Sequence, residues 1–256
     1  MERLPTAITI FGLTLAFAWV SGCQGNIIAL GDGRTGTGGA SSTGGDASSD
    51  SGAGGSVDGG SCQHGQIKAN EVAWIGDSWV VIPGTQHTRV RDLARAEGAI
   101  GPNDDYAILA ASATTIATIA GQYDTQEAGP TKVKILIMNG GGWDLIAANG
   151  SAASISSVGQ TFTRHLAKVA TDGTVQHVIY YLYPEAPTTP GVAALRPVMQ
   201  QACAQSTVPC HFLDLQPLWA GHPEYTATDG VQASEAGAAV IGDAIWAIMQ
   251  QNCIAQ

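Results

Sequence analysis

Five short runs of apolar residues recur between positions 72 and 215, at 72–75, 106–110, 133–138, 176–183 and 211–215. Each is the length of a strand, and each stays apolar instead of alternating with polar residues, which predicts strands buried on both faces. Between and after them the apolar period changes to three and four, predicting helices over 88–97, 115–123, 154–169, 192–205 and 234–251. The third helix carries Ile155, Val158, Phe162, Leu166 and Val169 on one stripe, and the last carries Ala238, Ile241, Ile245 and Ile248. Alternating strands and helices imply a mainly parallel sheet covered on both sides. Right-handed crossovers then favour a five-stranded, three-layer α/β/α sandwich. Among the doubly wound orders, the flavodoxin-like 2-1-3-4-5 is the one expected.

The chain ahead of the first strand has no such pattern. Arg3 precedes an apolar run over 7–20, and Val20-Ser21-Gly22-Cys23 matches a bacterial lipobox. Residues 1–23 therefore read as a lipoprotein signal peptide with Cys23 as the lipidated residue. Gln24 follows, with no aspartate to suggest inner-membrane retention, so the expected location is the outer membrane or cell surface of a bacterium. Residues 24–61 are mostly Gly, Ser, Thr, Ala and Asp, with too little apolar surface to offset ordering entropy. They read as a disordered tether, whose Gly/Ser-rich stretch of about 30 residues would span roughly 30 Å. Residues 62–256 form the expected domain.

Charge and cysteine content narrow the function classes. The chain carries a formal charge of -10 and its few Lys and Arg residues form no patch, which argues against nucleic acid as a partner. Besides Cys23 there are Cys62, Cys203, Cys210 and Cys253, an even number in a chain read as exported. Three pairings exist; Cys203–Cys210 and Cys62–Cys253 are favoured, a local clasp and a link between the domain's ends. No Cys-x-x-Cys or His-x-x-x-His spacing occurs, so neither a metal nor another cofactor is expected.

The first apolar run ends in Gly76-Asp77-Ser78, a strand turning out of the sheet edge where α/β proteins bind ligands. With the segments that follow in order, this resembles the SGNH (GDSL) hydrolases, and the resemblance covers residues 71–250. It implies a serine ester hydrolase with Ser78 as nucleophile and its N–H as one oxyanion donor. The second block, 110–115, has Ala113 where the family has glycine; its N–H would be another donor. The third block is Asn139-Gly140-Gly141-Gly142-Trp143-Asp144. Trp143 stands at the family's asparagine position, so its indole N–H, or the amide of Asn139, would have to serve. Asp77, Trp79, Gly141, Gly142 and Asp144 are then expected around the pocket.

The last block departs most. Thr228-Asp229-Gly230-Val231-Gln232 sits where the family has Asp-x-x-His. Asp229 matches the orienting carboxylate, but Gln232 replaces the histidine. An amide takes no proton near neutral pH and cannot be a general base. His222, ten residues earlier, is the best substitute base, and His87 is a second histidine near block one. His64, His165, His177 and His211 read as structural or solvated.

Two functions follow. One is an envelope-tethered ester hydrolase of the SGNH type, impaired by Gln232, acting on a small-molecule, lipid or acetylated-glycan ester. The other is a catalytically silent relative that binds a glycan, lipid or peptide at the cell surface. A monomer is expected in either case, with membrane contact only through lipidated Cys23.

Overall fold

The computed structural model describes residues 67–254. The expected signal peptide and tether, with Cys23, Cys62 and His64, lie outside the described residues. Five strands, β1 (Val72–Ile75), β2 (Ala107–Ile108), β3 (Ile135–Met138), β4 (His177–Leu182) and β5 (Cys210–Asp214), form one sheet in the order 2-1-3-4-5. Every pair is parallel. β1 and β3 are buried at all eight of their positions, which is why their sequences do not alternate. The edge strand β5 is half-buried throughout. The second apolar run, 106–110, yields only a two-residue edge strand, paired with β1.

Helices α2 (Thr85–Ala96) and α8 (Glu235–Gln251) pack together on one face. α3 (Ile116–Glu127), α5 (Ala152–Asp172) and α6 (Val192–Ala204) form a row on the other. The expected helices are all present, with ends moved by local capping. The helix expected at 88–97 begins at Thr85, after Gly84 in left-handed conformation. Thr115, Ser151 and Ser234 cap α3, α5 and α8 by accepting from the N–H three residues on. Short helices that no periodicity announced occupy the sheet's carboxyl edge: α1 (Ser78–Val81), α4 (Gly142–Ala147) and α7 (Gln216–Trp219).

Val158, Phe162, Leu166 and Val169 of α5 face the core as their spacing requires. A fully buried side chain such as Phe162 contributes roughly 1.5–3 kcal/mol. The Cys203–Cys210 disulfide forms, with Cα atoms 5.2 Å apart, and joins the end of α6 to the start of β5. Cys253 is disulfide-bonded, but its expected partner Cys62 lies outside the described residues.

His165 is an exception on the inner face of α5. It is 3% exposed, lies edge-on to Tyr123 at 5.4 Å, and neither ring nitrogen has a protein partner. Burial pulls its pKa down from 6.5 to about 4, against the nearby Asp124 and Asp172 carboxylates and with the help of Lys168. The imidazole is thus held neutral in the fold, so its contribution to stability is whole above pH 6.5 and is lost as pH falls toward 4. That loss is on the order of 3 kcal/mol. His165→Phe should flatten the pH dependence of urea unfolding between pH 6.5 and 4; an unchanged slope would contradict the assignment.

Candidate active site

The carboxyl edge of β1 turns sharply at Gly76. A Cβ there would lie 1.9 Å from Asn139 Oδ1, so the close approach of the β1 and β3 ends requires glycine. Gln122 of α3 grips both sides of Gly76, accepting from its N–H at 2.7 Å and donating to its carbonyl at 3.0 Å.

Asp77 follows and is 3% exposed. Its Oδ1 accepts from Trp79 N at 3.0 Å and from Asn139 Nδ2 at 2.9 Å, while the Tyr183 hydroxyl donates to Oδ2. Asn139 Oδ1 accepts in return from Asp77 N at 3.1 Å. Burial raises the Asp77 pKa, and the donors from Tyr183, Trp79 and Asn139 oppose the rise. Asp77 thereby caps α1 and sets Ser78 as its first residue, partly exposed at the helix N-terminus. The first backbone N–H groups of a helix have no acceptor within it.

Gln232 reaches this serine across 154 residues of chain: its Nε2 donates to Ser78 Oγ at 2.9 Å. The Gln232 side chain is buried and its Oε1 has no protein partner. Asp229 is exposed, and its Oδ1 accepts from the backbone N–H groups of Val231 and Gln232 at 2.8 and 2.9 Å. That carboxylate closes its own loop.

A cavity of about 220 Å³ opens over Ser78. Asp77, Trp79, Ala113, Gly142, Trp143 and Gln232 line it, as the sequence led one to expect. Ala113 sits at φ 55, a left-handed conformation that the glycine of the resembling family would adopt without strain. Trp143 is 42% exposed at the rim. The other candidate residues stand elsewhere. Asn139 is fully buried behind the cavity, with its amide engaged by Asp77. Asp144 Oδ2 accepts from Ile116 N at 2.9 Å and so holds the start of α3. Gly141 packs under α4, where a Cβ would meet Val158 at 2.8 Å. His222 is exposed, stacked on Tyr225 with its Nδ1 2.8 Å from Glu224 Oε1, and does not line the cavity. His87 lies in α2 against Trp74.

The cavity walls also include Tyr183, Thr189, Ile82 and Ile146, none of which any motif marked, and Val231, a spacer position of the last block. Asp77 and Tyr183 are the cavity's titratable side chains; no histidine lines it. Among the described residues no group of three or more His, Cys, Asp or Glu side chains is disposed to hold a metal.

No family model matches this sequence, and no curated protein is significantly similar to it. Solved structures do match. The family 3 carbohydrate esterase of Clostridium thermocellum superposes with a TM-score of 0.59 at 17% identity, over 71% of this chain and 96% of that one. The acetyl xylan esterase AlAXEase gives 0.58 at 14% identity, over 71% and 99%. A family 3 carbohydrate esterase from Talaromyces cellulolyticus gives 0.55 at 16%, over 71% and 97%. The chain has the α/β fold of the SGNH hydrolases.

Two substitutions test how the site is held. Asn139→Ala strips a donor from the buried Asp77 carboxylate and an acceptor from its N–H, and should lower urea-unfolding stability by about 2–4 kcal/mol. Ala113→Gly should leave stability unchanged or raise it by up to about 1 kcal/mol, since relief of left-handed strain offsets glycine's entropy. A clear loss in Ala113→Gly would contradict the strained geometry.

Proposed function

We propose that this chain is an SGNH-type serine ester hydrolase whose turnover is held down by Gln232. The observation that carries this reading is the 2.9 Å hydrogen bond from Gln232 Nε2 to Ser78 Oγ: the nucleophile's neighbour is in position but is an amide. Ser78 Oγ would attack the ester carbonyl and lose its proton to solvent water, with the Ser78 and Ala113 N–H groups as donors to the oxyanion; the adduct would expel the alcohol, protonated from solvent, and water would then release the acid from the acyl-serine. The hydroxyl proton has no basic side chain beside it, because an amide in either orientation can hydrogen-bond to a serine but not ionise it. Loss of a triad member costs serine proteases about 10⁴–10⁶ in kcat, and binding and oxyanion donors retain a residual rate. The solved neighbours named as carbohydrate and acetyl xylan esterases support a small acyl ester, including an acetylated glycan, as substrate class. The lipobox at Cys23 supports tethering to the bacterial envelope.

One observation favours a silent, ligand-binding relative instead: Asp229 is engaged with its own loop and orients no base. Fluorophosphonate labelling separates the two readings. The hydrolase should be labelled slowly at Ser78, and Ser78→Ala should abolish labelling; no labelling at all would favour the silent relative. Gln232→His should raise p-nitrophenyl acetate turnover by about 10²–10⁴. An unchanged rate would show that the amide is not what limits the reaction.

A further inference from the structure

The amino edge of the sheet, opposite the Ser78 edge, holds two histidines that ester hydrolysis does not use. His177 opens β4, and His211 is the second residue of β5. His211 stands beside Ile179 in the parallel register, so His177 is its diagonal neighbour two residues back. Residues two apart on a strand share a face, which puts both rings on one side of the sheet. It is the side away from α5, because Tyr180 and Phe212 alternate with them and Tyr180 packs on Phe162 of that helix. The two rings are half-buried and stacked at 29°, with His177 Nδ1 3.0 Å from His211 Nε2. Neither ring has another partner among the described residues. Burial lowers both pKa values, and the His177 ring lowers that of His211 further, so both imidazoles are neutral at pH 7. Neutral imidazole is the form that binds metals.

We infer that His177 and His211 form a two-imidazole site for a divalent late-transition cation, Cu(II) above all, bridging the starts of β4 and β5. With metal–nitrogen bonds of about 2.0–2.1 Å, nitrogens 3.0 Å apart subtend about 95° at the metal. A tetrahedral ion would need them about 3.3–3.4 Å apart. The pair thus fits adjacent corners of a square-planar or tetragonal ion, the geometry of Cu(II) and Ni(II). No third His, Cys, Asp or Glu joins it among the described residues, so water would complete the shell. Calcium and magnesium, which take oxygen ligands, do not suit it. One rearrangement accompanies binding. The ring that donates the shared hydrogen gives up that proton and takes one at its outer nitrogen, so no proton is released overall. Neither outer nitrogen is sealed from water, and the exchange can run through solvent. Lying 34 positions apart, the two histidines form no sequence motif.

Competition for Cu(II) between the full chain and a chelating dye at neutral pH tests the site, with electron spin-echo spectroscopy to identify the ligands. The tightest Cu(II) site should carry two imidazole nitrogens. His177→Gln and His211→Gln should each weaken it by at least about tenfold and leave a single imidazole. His222→Gln, at an exposed histidine elsewhere, should change nothing. Ni(II) should bind more tightly than Zn(II). Cu(II) should raise the melting temperature of the unaltered chain and not that of the two variants. Melts without metal show whether the variants are folded; His177→Phe and His211→Phe, which refill the space, repeat the test if a glutamine variant is not. Unchanged Cu(II) affinity in the folded variants, a single imidazole on the ion in the unaltered chain, or Zn(II) binding more tightly than Ni(II) would overturn the site. Failure of Ser78 labelling would leave it standing.

Discussion

The carboxylate of Asp77 is the point to which the site is fastened. It is buried, and a charge taken out of water in this way persists only when donors surround it. Its donors come from three separate stretches of chain: Trp79 in the following helix, Asn139 at the end of β3 and Tyr183 just past β4. The ends of β1, β3 and β4 therefore have one arrangement in which Asp77 is satisfied, and that arrangement leaves Ser78 at the head of α1 beneath the open cavity. Gly76 and Gly141 supply the close approaches this requires.

Opposite this fixed serine stands a side chain that imitates the reach of a base without its chemistry. Gln232 is held by the loop that Asp229 closes, and its amide nitrogen meets Ser78 Oγ at hydrogen-bond distance. Position and proton affinity have thus been separated. A serine at a helix head and an amide within reach of it are present, while no side chain that could ionise the serine lines the cavity. None of the described histidines lines the cavity. His165 is buried in α5, His177 and His211 face each other at 3.0 Å at the starts of β4 and β5, and His222 is engaged with Glu224.

The parallel sheet was legible because burial on both faces writes continuous apolar runs; its order, 2-1-3-4-5, matches the one expected, although apolar runs and handed crossovers allow other orders too. The site was legible only where a motif marked it. Gly-Asp-Ser and the Gln232 block signalled Ser78 and its neighbour, and Trp143 and Ala113 came with the blocks between. Tyr183 was not legible, because a tyrosine ending a buried strand looks like core until its hydroxyl is seen beside Asp77. Asn139 was misjudged for a related reason. Its place near the glycines suggested the cavity, whereas the turn at Gly76 draws its amide backwards onto Asp77. The role of Asp229 depended on side-chain direction, which spacing does not encode.

The pH dependence of fluorophosphonate labelling at Ser78 tests most directly whether an amide stands in the base's position. A rate with no histidine-dependent inflexion near neutral pH is expected for this protein, and Gln232→His should introduce one near pH 6.5. An inflexion already present in the unaltered chain, and abolished by replacing His222 or His87, would mean that a histidine serves Ser78 after all.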